Sequence, residues 1–240
     1  MDPPRLPPWP VDVIIPARDE AETIGAVVRG VPRAWVRSVV VVDNGSRDGT
    51  ADRARAAGAS VVVCPVAGYG RACLAALATL PPEGIVAFMV ADGSDDPREL
   101  PRLVDPIAAG EADLVIGSRA LGYVEPGAMP PWQSVGSRVA AAGISLRFGQ
   151  RVTDLGPFRA IRREALDRLA MRDPTYGWTL EMQIKAARAG LRVREVPVAW
   201  RLRRGGEPKV SGTVRGTLGA SRMILAWLVG AFRGPAHDPR

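Results

Sequence analysis

Two apolar runs in this chain each end on an acid and a polar turn: Ser38-VVVVDNGSRDGT-Ala51 and Val86-AFMVADGSDDP-Arg98. A run such as Val39 to Val42, apolar at every position, suits a central parallel strand covered on both faces. In open α/β sheets, ligands bind beyond the carboxyl ends of such strands. Asp43 and Asp92 are thereby expected at one crevice. Two acids there either grip a sugar or base by hydrogen bonds or hold a divalent cation on a phosphorylated substrate. The pattern is that of an enzyme.

The elements that must carry these acids can be read along the chain. Val11 to Pro16 predicts a first strand, followed by the ARDE loop and a helix over Glu20 to Val31. Val36 to Val42 is the second strand, and the helix Gly49 to Gly58 ends at its glycine, with Asp48 suited to its start. Ser60 to Cys64 is a short third strand, and Gly68-YGRACLAALATL opens a helix on its glycines. Strand Ile85 to Val90, helix Pro97 to Ala109 and strand Ala112 to Ile116 continue the alternation of a doubly wound α/β sheet. After Gly122 the alternation stops. A helix is expected over Val135 to Phe148, a strand over Phe158 to Arg163, and helices over Arg163 to Ala170 and Tyr176 to Ala189. Leu191 to Trp200 is a strand that Pro197 marks as an edge, and Thr213 to Phe232 is a helix with a broad apolar face. The sequence shows no internal repeat.

Composition narrows the chemistry. At 240 residues, 25.5 kDa and 47% hydrophobic content, one large domain with a full core is expected. Cys64 and Cys73 have no metal-ligand spacing and read as reduced core thiols, which points to the cytoplasm. The one histidine, His237, lies in the terminal GPAHDPR, so histidine catalysis and His-rich metal sites are set aside. MDPPRLPPWP lacks the basic-then-apolar pattern of a signal peptide, and no apolar run is long enough to span a bilayer. The net charge of +7 calls for an anionic partner. With 5% aromatic residues the chain lacks platforms for stacking bases, so no nucleic-acid partner is expected. Phosphate groups on small or lipid substrates fit better, and Arg192, Arg194, Arg201, Arg203, Arg204, Lys209 and Arg215 concentrate cations late in the chain.

Taken in order, IIPARDE, VVDNGSRDGT, VADGSDDP, DLVIGSR, TDLGPFRAIRRE, YGWTLEMQIKAARAG and GGEPKVSGT resemble the family 2 glycosyltransferases of the dolichol- or polyprenyl-phosphate mannose synthase type. The resemblance covers Val11 to Gly212. It implies the GT-A fold, a Rossmann-like doubly wound, mostly parallel sheet with helices on both faces. A proline-rich tail over 1–10, a catalytic domain over 11–212 and a C-terminal helix and tail over 213–240 follow from it. That last helix suits a membrane interface, or packing on the core or on a second subunit of a homo-oligomer. The implied reaction is an inverting transfer of a hexose from a GDP- or UDP-hexose, with Mg2+ or Mn2+, to polyprenyl phosphate at the cytoplasmic membrane face. A small hydroxylated acceptor is the alternative within the class. A nucleotidyltransferase would need a glycine-rich basic loop directly after the first strand, which PARDE lacks; a non-catalytic nucleotide-sugar binding module is a third reading.

The same resemblance suggests roles residue by residue. Pro16 ends the first strand, leaving Ala17, Arg18 and Glu20 beside the nucleotide. Arg18 stands where many relatives carry an aromatic ring, and a guanidinium either stacks on a base or pairs with a phosphate. Asp43 and Asn44 are expected at the base edge, with Gly70 and Arg71 in a donor loop whose glycines admit close approach. In VADGSDDP, Ala91 and Asp92 meet the donor, but Val90 stands where relatives usually carry an acid. Asp92 is then the metal ligand, with Asp95 the candidate second ligand, while Asp96 before Pro97 suits a helix cap. Arg119 can pair bidentately with a phosphate, and Asp154, with Glu181 a catalytic candidate, either binds sugar hydroxyls or braces its turn. Glu181, among Leu180, Ile184 and Ala187, is a carboxylate costly to bury unless it has a partner or a function. It suits a catalytic base for a hydroxyl acceptor, or an orienting group if the acceptor is a phosphate. Arg201, Arg203, Arg204, Lys209 and Ser211, around Gly205 and Gly206, resemble a loop that closes over donor diphosphate and acceptor phosphate.

Overall fold

The computed structural model describes residues 9–175 and 177–205. Seven strands form one sheet, with helices packed on both of its faces. The strands are β1 (Val11–Ala17), β2 (Ser38–Asp43), β3 (Ser60–Val63), β4 (Ile85–Phe88), β5 (Leu114–Ser118), β6 (Arg159–Arg162) and β7 (Val193–Pro197), in the sheet order β3-β2-β1-β4-β6-β5-β7. All neighbouring pairs are parallel except those of β6, which runs antiparallel between β4 and β5. The α-helices are α1 (Ile24–Gly30), α2 (Thr50–Ala56), α3 (Tyr69–Leu77), α4 (Leu100–Ala108), α5 (Pro131–Phe148), α6 (Arg163–Leu169) and α7 (Trp178–Arg188).

The period-2 alternation of strand side chains divides the core into two layers. Val13 and Ile15 of β1 and Val39 and Val41 of β2 pack with α1, α2 and α4 through Ile24, Val28, Ala54, Leu103 and Ile107. Ile14, Val40 and Val42 face the other way, onto α3, α6 and α7 through Ala72, Ala76, Leu166, Trp178 and Met182. A smaller cluster joins Ala141 and Ile144 of α5 to Leu180 and Ile184 of α7. The expected α/β sheet covered on both faces is therefore present. Cys64 and Cys73 are free and buried, and burial pushes the Cys73 thiol well up.

Several boundaries differ from expectation for local reasons. β1 continues through Pro16 to Ala17, since the ladder with β2 reaches Ala17 opposite Asp43. The first helix starts at Ile24 rather than Glu20, because the Glu20 carbonyl accepts from the amides of both Thr23 and Ile24 in a turn. α5 begins at Pro131, before the expected Val135, with proline in its first turn where the missing N–H costs nothing. β7 closes the sheet at one edge, as Pro197 indicated. The expected helix over Thr213 to Phe232 lies outside the described residues.

Candidate active site

The carboxyl ends of β1 and β2 are bound into one rim. The Asn44 amide donates to the Ala17 carbonyl at 2.8 Å, the Asp19 amide to Ser46 Oγ at 3.0 Å and the Glu20 amide to Thr50 Oγ1 at 2.8 Å. Asp48 accepts from the amides of Ala21 and Thr50, so it ties α2 to this rim. Asp43, half-buried, accepts from the Ser46 amide at 2.9 Å. Asn44 departs from the expected contact with a base. Its amide donates to the carbonyls of Cys64 and Val66 and its oxygen accepts from the Gly68 amide at 2.7 Å, so the side chain is spent on shaping the loop after β3. Arg18 stays exposed, 3.8 Å from the carboxylate of Asp19.

Gly68 and Gly70 also answer to protein rather than to ligand. A Cβ on Gly70 would stand 1.9 Å from the Asp173 carbonyl oxygen, and one on Gly68 2.2 Å from that of Pro174. The 173–175 backbone instead accepts from the amides of Gly70 and Arg71, both at 3.0 Å. Arg71 donates to the Ala67 carbonyl at 2.7 Å. Behind this loop Glu181 is buried, accepting from the amides of Arg172 and Asp173 and pairing with Lys185 at 2.7 Å. Its carboxylate holds a turn, which leaves the role of base without geometric support.

The loop after β4 splits its acids. Asp92 accepts from the Ser94 amide at 2.9 Å and from Arg203 Nη1 at 3.1 Å. Asp95 turns inward: Oδ2 accepts from the Val90 amide at 3.0 Å and Oδ1 has no partner among the described residues. Burial, aided by the charge of Asp92 and opposed by the Val90 hydrogen bond, pushes its carboxyl up to about 8. Buried and bonded to the Val90 amide, Asp95 braces this loop from within. Asp96 caps the next turn through the Arg98 amide, as its place before Pro97 suggested.

At the end of β5, Arg119 forms a buried, bidentate pair with Asp154, both contacts at 2.7 Å. Burial pushes the Asp154 carboxyl up, but the Arg119 bonds and charge and the Ser137 hydroxyl outweigh it and hold it below the usual range. Asp154 thus braces its turn and fixes Arg119. The guanidinium also lies 5.0 Å from the ring centroid of Trp200. A cavity of about 240 Å³ opens here, lined among others by Arg119, Ser134, Ser137, Arg138 and Asp154.

The chain after β7 connects this cavity to Asp92. Trp200 bridges to both Asp95 and Val124, and the amides of Arg201 and Arg204 donate to the carbonyls of Ser94 and Asp92 at 2.9 and 3.1 Å. Arg201 approaches Asp96 at 3.5 Å, and Arg203 spans from Asp92 to Glu20. Arg192 and Arg194 are drawn off to Asp113 and Glu111 on the surface. Lys209 and Ser211 lie outside the described residues. Ser137, Arg138 and Trp200 were not foreseen as site residues. Only an exposed-side pattern of small polar residues on α5 and a tryptophan ending a strand hinted at them.

Toward Mg2+ or Mn2+ the loop turns the carboxylate of Asp92, which Arg203 already holds. Both oxygens of Asp92 already accept protein hydrogen bonds, Val90 contributes no oxygen, and among the described residues no three His, Cys, Asp or Glu side chains gather to hold a metal.

Comparison with known proteins places the chain in a family. The family model described as Glycosyl transferase family 2 matches residues 12–170. An uncharacterised glycosyltransferase of Mycobacterium tuberculosis is 42% identical over 211 residues, covering 87% of this chain and 93% of the relative. An undecaprenyl-phosphate mannosyltransferase of Micrococcus luteus is 34% identical over 222 residues, covering 85% and 88%. Among solved structures, glucosyl-3-phosphoglycerate synthase from M. tuberculosis, in complex with Mn2+, UDP-glucose and phosphoglyceric acid, superposes with a TM-score of 0.73 at 27% identity over 93% of this chain and 79% of that one. The seven-stranded sheet is thus of the GT-A kind, and the chain is an enzyme that belongs to glycosyl transferase family 2.

Proposed function

We propose that this glycosyltransferase moves a hexose, with inversion, from a UDP- or GDP-hexose to polyprenyl phosphate at the cytoplasmic face of a membrane. The observation that carries the reading is the cavity at the end of β5, where Arg138 and Ser134 offer a cation and a hydroxyl suited to a phosphate beside the Arg119–Asp154 pair. The M. luteus relative, named for undecaprenyl phosphate, supports the same acceptor class. A phosphate oxygen is already anionic, so its attack on the anomeric carbon needs no general base. That agrees with Glu181 holding a turn, a positioning role under the loop 170–175. On the opposite side the nucleoside diphosphate leaves, and Arg201, Arg203 and Arg204 are placed to stabilise its charge. Asp43 and Arg18 remain the donor-side candidates on the β1–β2 rim. No step here runs through a metal ion.

A small phosphorylated acceptor is the second reading, favoured by the phosphoglyceric acid in the solved relative. Incubation with radiolabelled UDP- and GDP-hexoses, offering polyprenyl phosphate and phosphoglycerate separately, followed by butanol extraction, distinguishes them. Label in the organic phase is expected. Label confined to a phosphoglycerate product in water would replace the lipid by the small acceptor.

A further inference from the structure

The donor reading leaves a question of charge at Asp92. A diphosphate leaving group needs a cation there, and the described residues set a guanidinium on that carboxylate. Resting on that reading, we propose that Arg203 is the cation that meets the donor diphosphate at Asp92, in place of a divalent metal ion. Its Nε donates to the Gly205 carbonyl at 2.6 Å, its Nη1 to Asp92 at 3.1 Å and its Nη2 to Glu20. A guanidinium has five N–H groups in a rigid fork. Three are used among the described residues, which leaves two for phosphate oxygens.

The fork is also held in place before any ligand arrives. The neighbouring amides of Arg201 and Arg204 are bonded to the Asp92 loop at 2.9 and 3.1 Å. Glu20 is fixed in turn by its own amide on Thr50 Oγ1, and it is buried, so it works as a rigid anchor. Arg203 itself keeps 23% of its side chain exposed, enough to be reached from the crevice. The two carboxylates hold the guanidinium in place, and Val90 adds no carboxylate that would draw a metal ion there instead. Preorganised charge of this kind stabilises a leaving diphosphate without solvent reorganisation.

Calorimetric titration of UDP and of GDP into the full chain, first in EDTA and then with Mn2+, tests this, with Mn2+ alone as a further titrant. One of the two diphosphates is expected to bind in EDTA. Arg203→Ala should weaken that binding about 10- to 100-fold, the loss of one or two charge-assisted bonds, and Arg203→Lys should keep part of it. Mn2+ alone should give no saturable binding to the wild type. Should Arg203→Ala fail to fold, the wild type in EDTA against Mn2+ and the Arg203→Lys protein decide the matter. Diphosphate binding that requires Mn2+ and ignores the Arg203 substitutions would overturn this inference while leaving the donor reading intact. No binding of either diphosphate, with or without Mn2+, would overturn both.

Discussion

Asp95 shows how one side chain can set a property of the whole fold. Its carboxyl, driven up to about 8 by burial against an ordinary 3.8, holds its proton in the folded chain across the window where the unfolded chain has lost it. Folding therefore takes up a proton between those values, and this contribution to stability is full at low pH and declines as pH rises toward about 8. Asparagine keeps an acceptor for the Val90 amide and cannot ionise. In urea unfolding between about pH 5 and about pH 8, the wild type should lose stability relative to Asp95→Asn as pH rises. Parallel pH profiles for the two proteins would mean that Asp95 is not protonated in the folded state. The type and neighbourhood of Asp95 in VADGSDDP were visible in the sequence, but its direction was not. Whether an acid in a tight turn faces crevice or core depends on the Val90 amide it meets, a contact that one-dimensional spacing does not encode.

Between elements, the site depends on backbone closeness that side-chain patterns do not announce. The start of α3 lies against the 173–175 segment, with the Gly70 amide on the Thr175 carbonyl at 3.0 Å and no room for a Cβ. Gly70→Ala should destabilise the fold by about 1–3 kcal/mol, typical of overpacking, seen as a lower Tm in a thermal melt. An unchanged Tm would show that the two segments separate freely. The strands and most helices were legible because their apolar periods are strong: β2 reads as a run of valines, and α7 as an amphipathic stretch ended by Gly190. The antiparallel β6 was not, since its direction depends on how the chain returns to the gap between β4 and β5 and not on local pattern. Nor was the buried Arg159, which donates to the carbonyls of Gly156 and Thr179 and so fastens the Asp154 turn to α7. Asn44 and Glu181 sit at the expected places, yet their polar atoms are consumed by neighbouring loops. Residue type and position were readable; the partner was not.

For the molecule as a whole, the excess of cations acquires a distribution. Arg119 and Arg138 line the cavity, Arg201, Arg203 and Arg204 cross the Asp92 loop, and Arg192 and Arg194 are neutralised at the sheet edge. Among the described residues no helix is long and apolar enough to cross a membrane. The chain after β7 links the cavity to the Asp92 loop, through Trp200 beside Arg119 and Arg203 at Asp92.

The most direct measurement is the structure of the product. With an α-linked UDP- or GDP-hexose and polyprenyl phosphate, phosphorus and proton NMR of the lipid fraction should show a new phosphodiester to the sugar with the anomeric configuration inverted. An α-linked product, or free hexose with unmodified polyprenyl phosphate, would contradict transfer by direct attack of the acceptor phosphate.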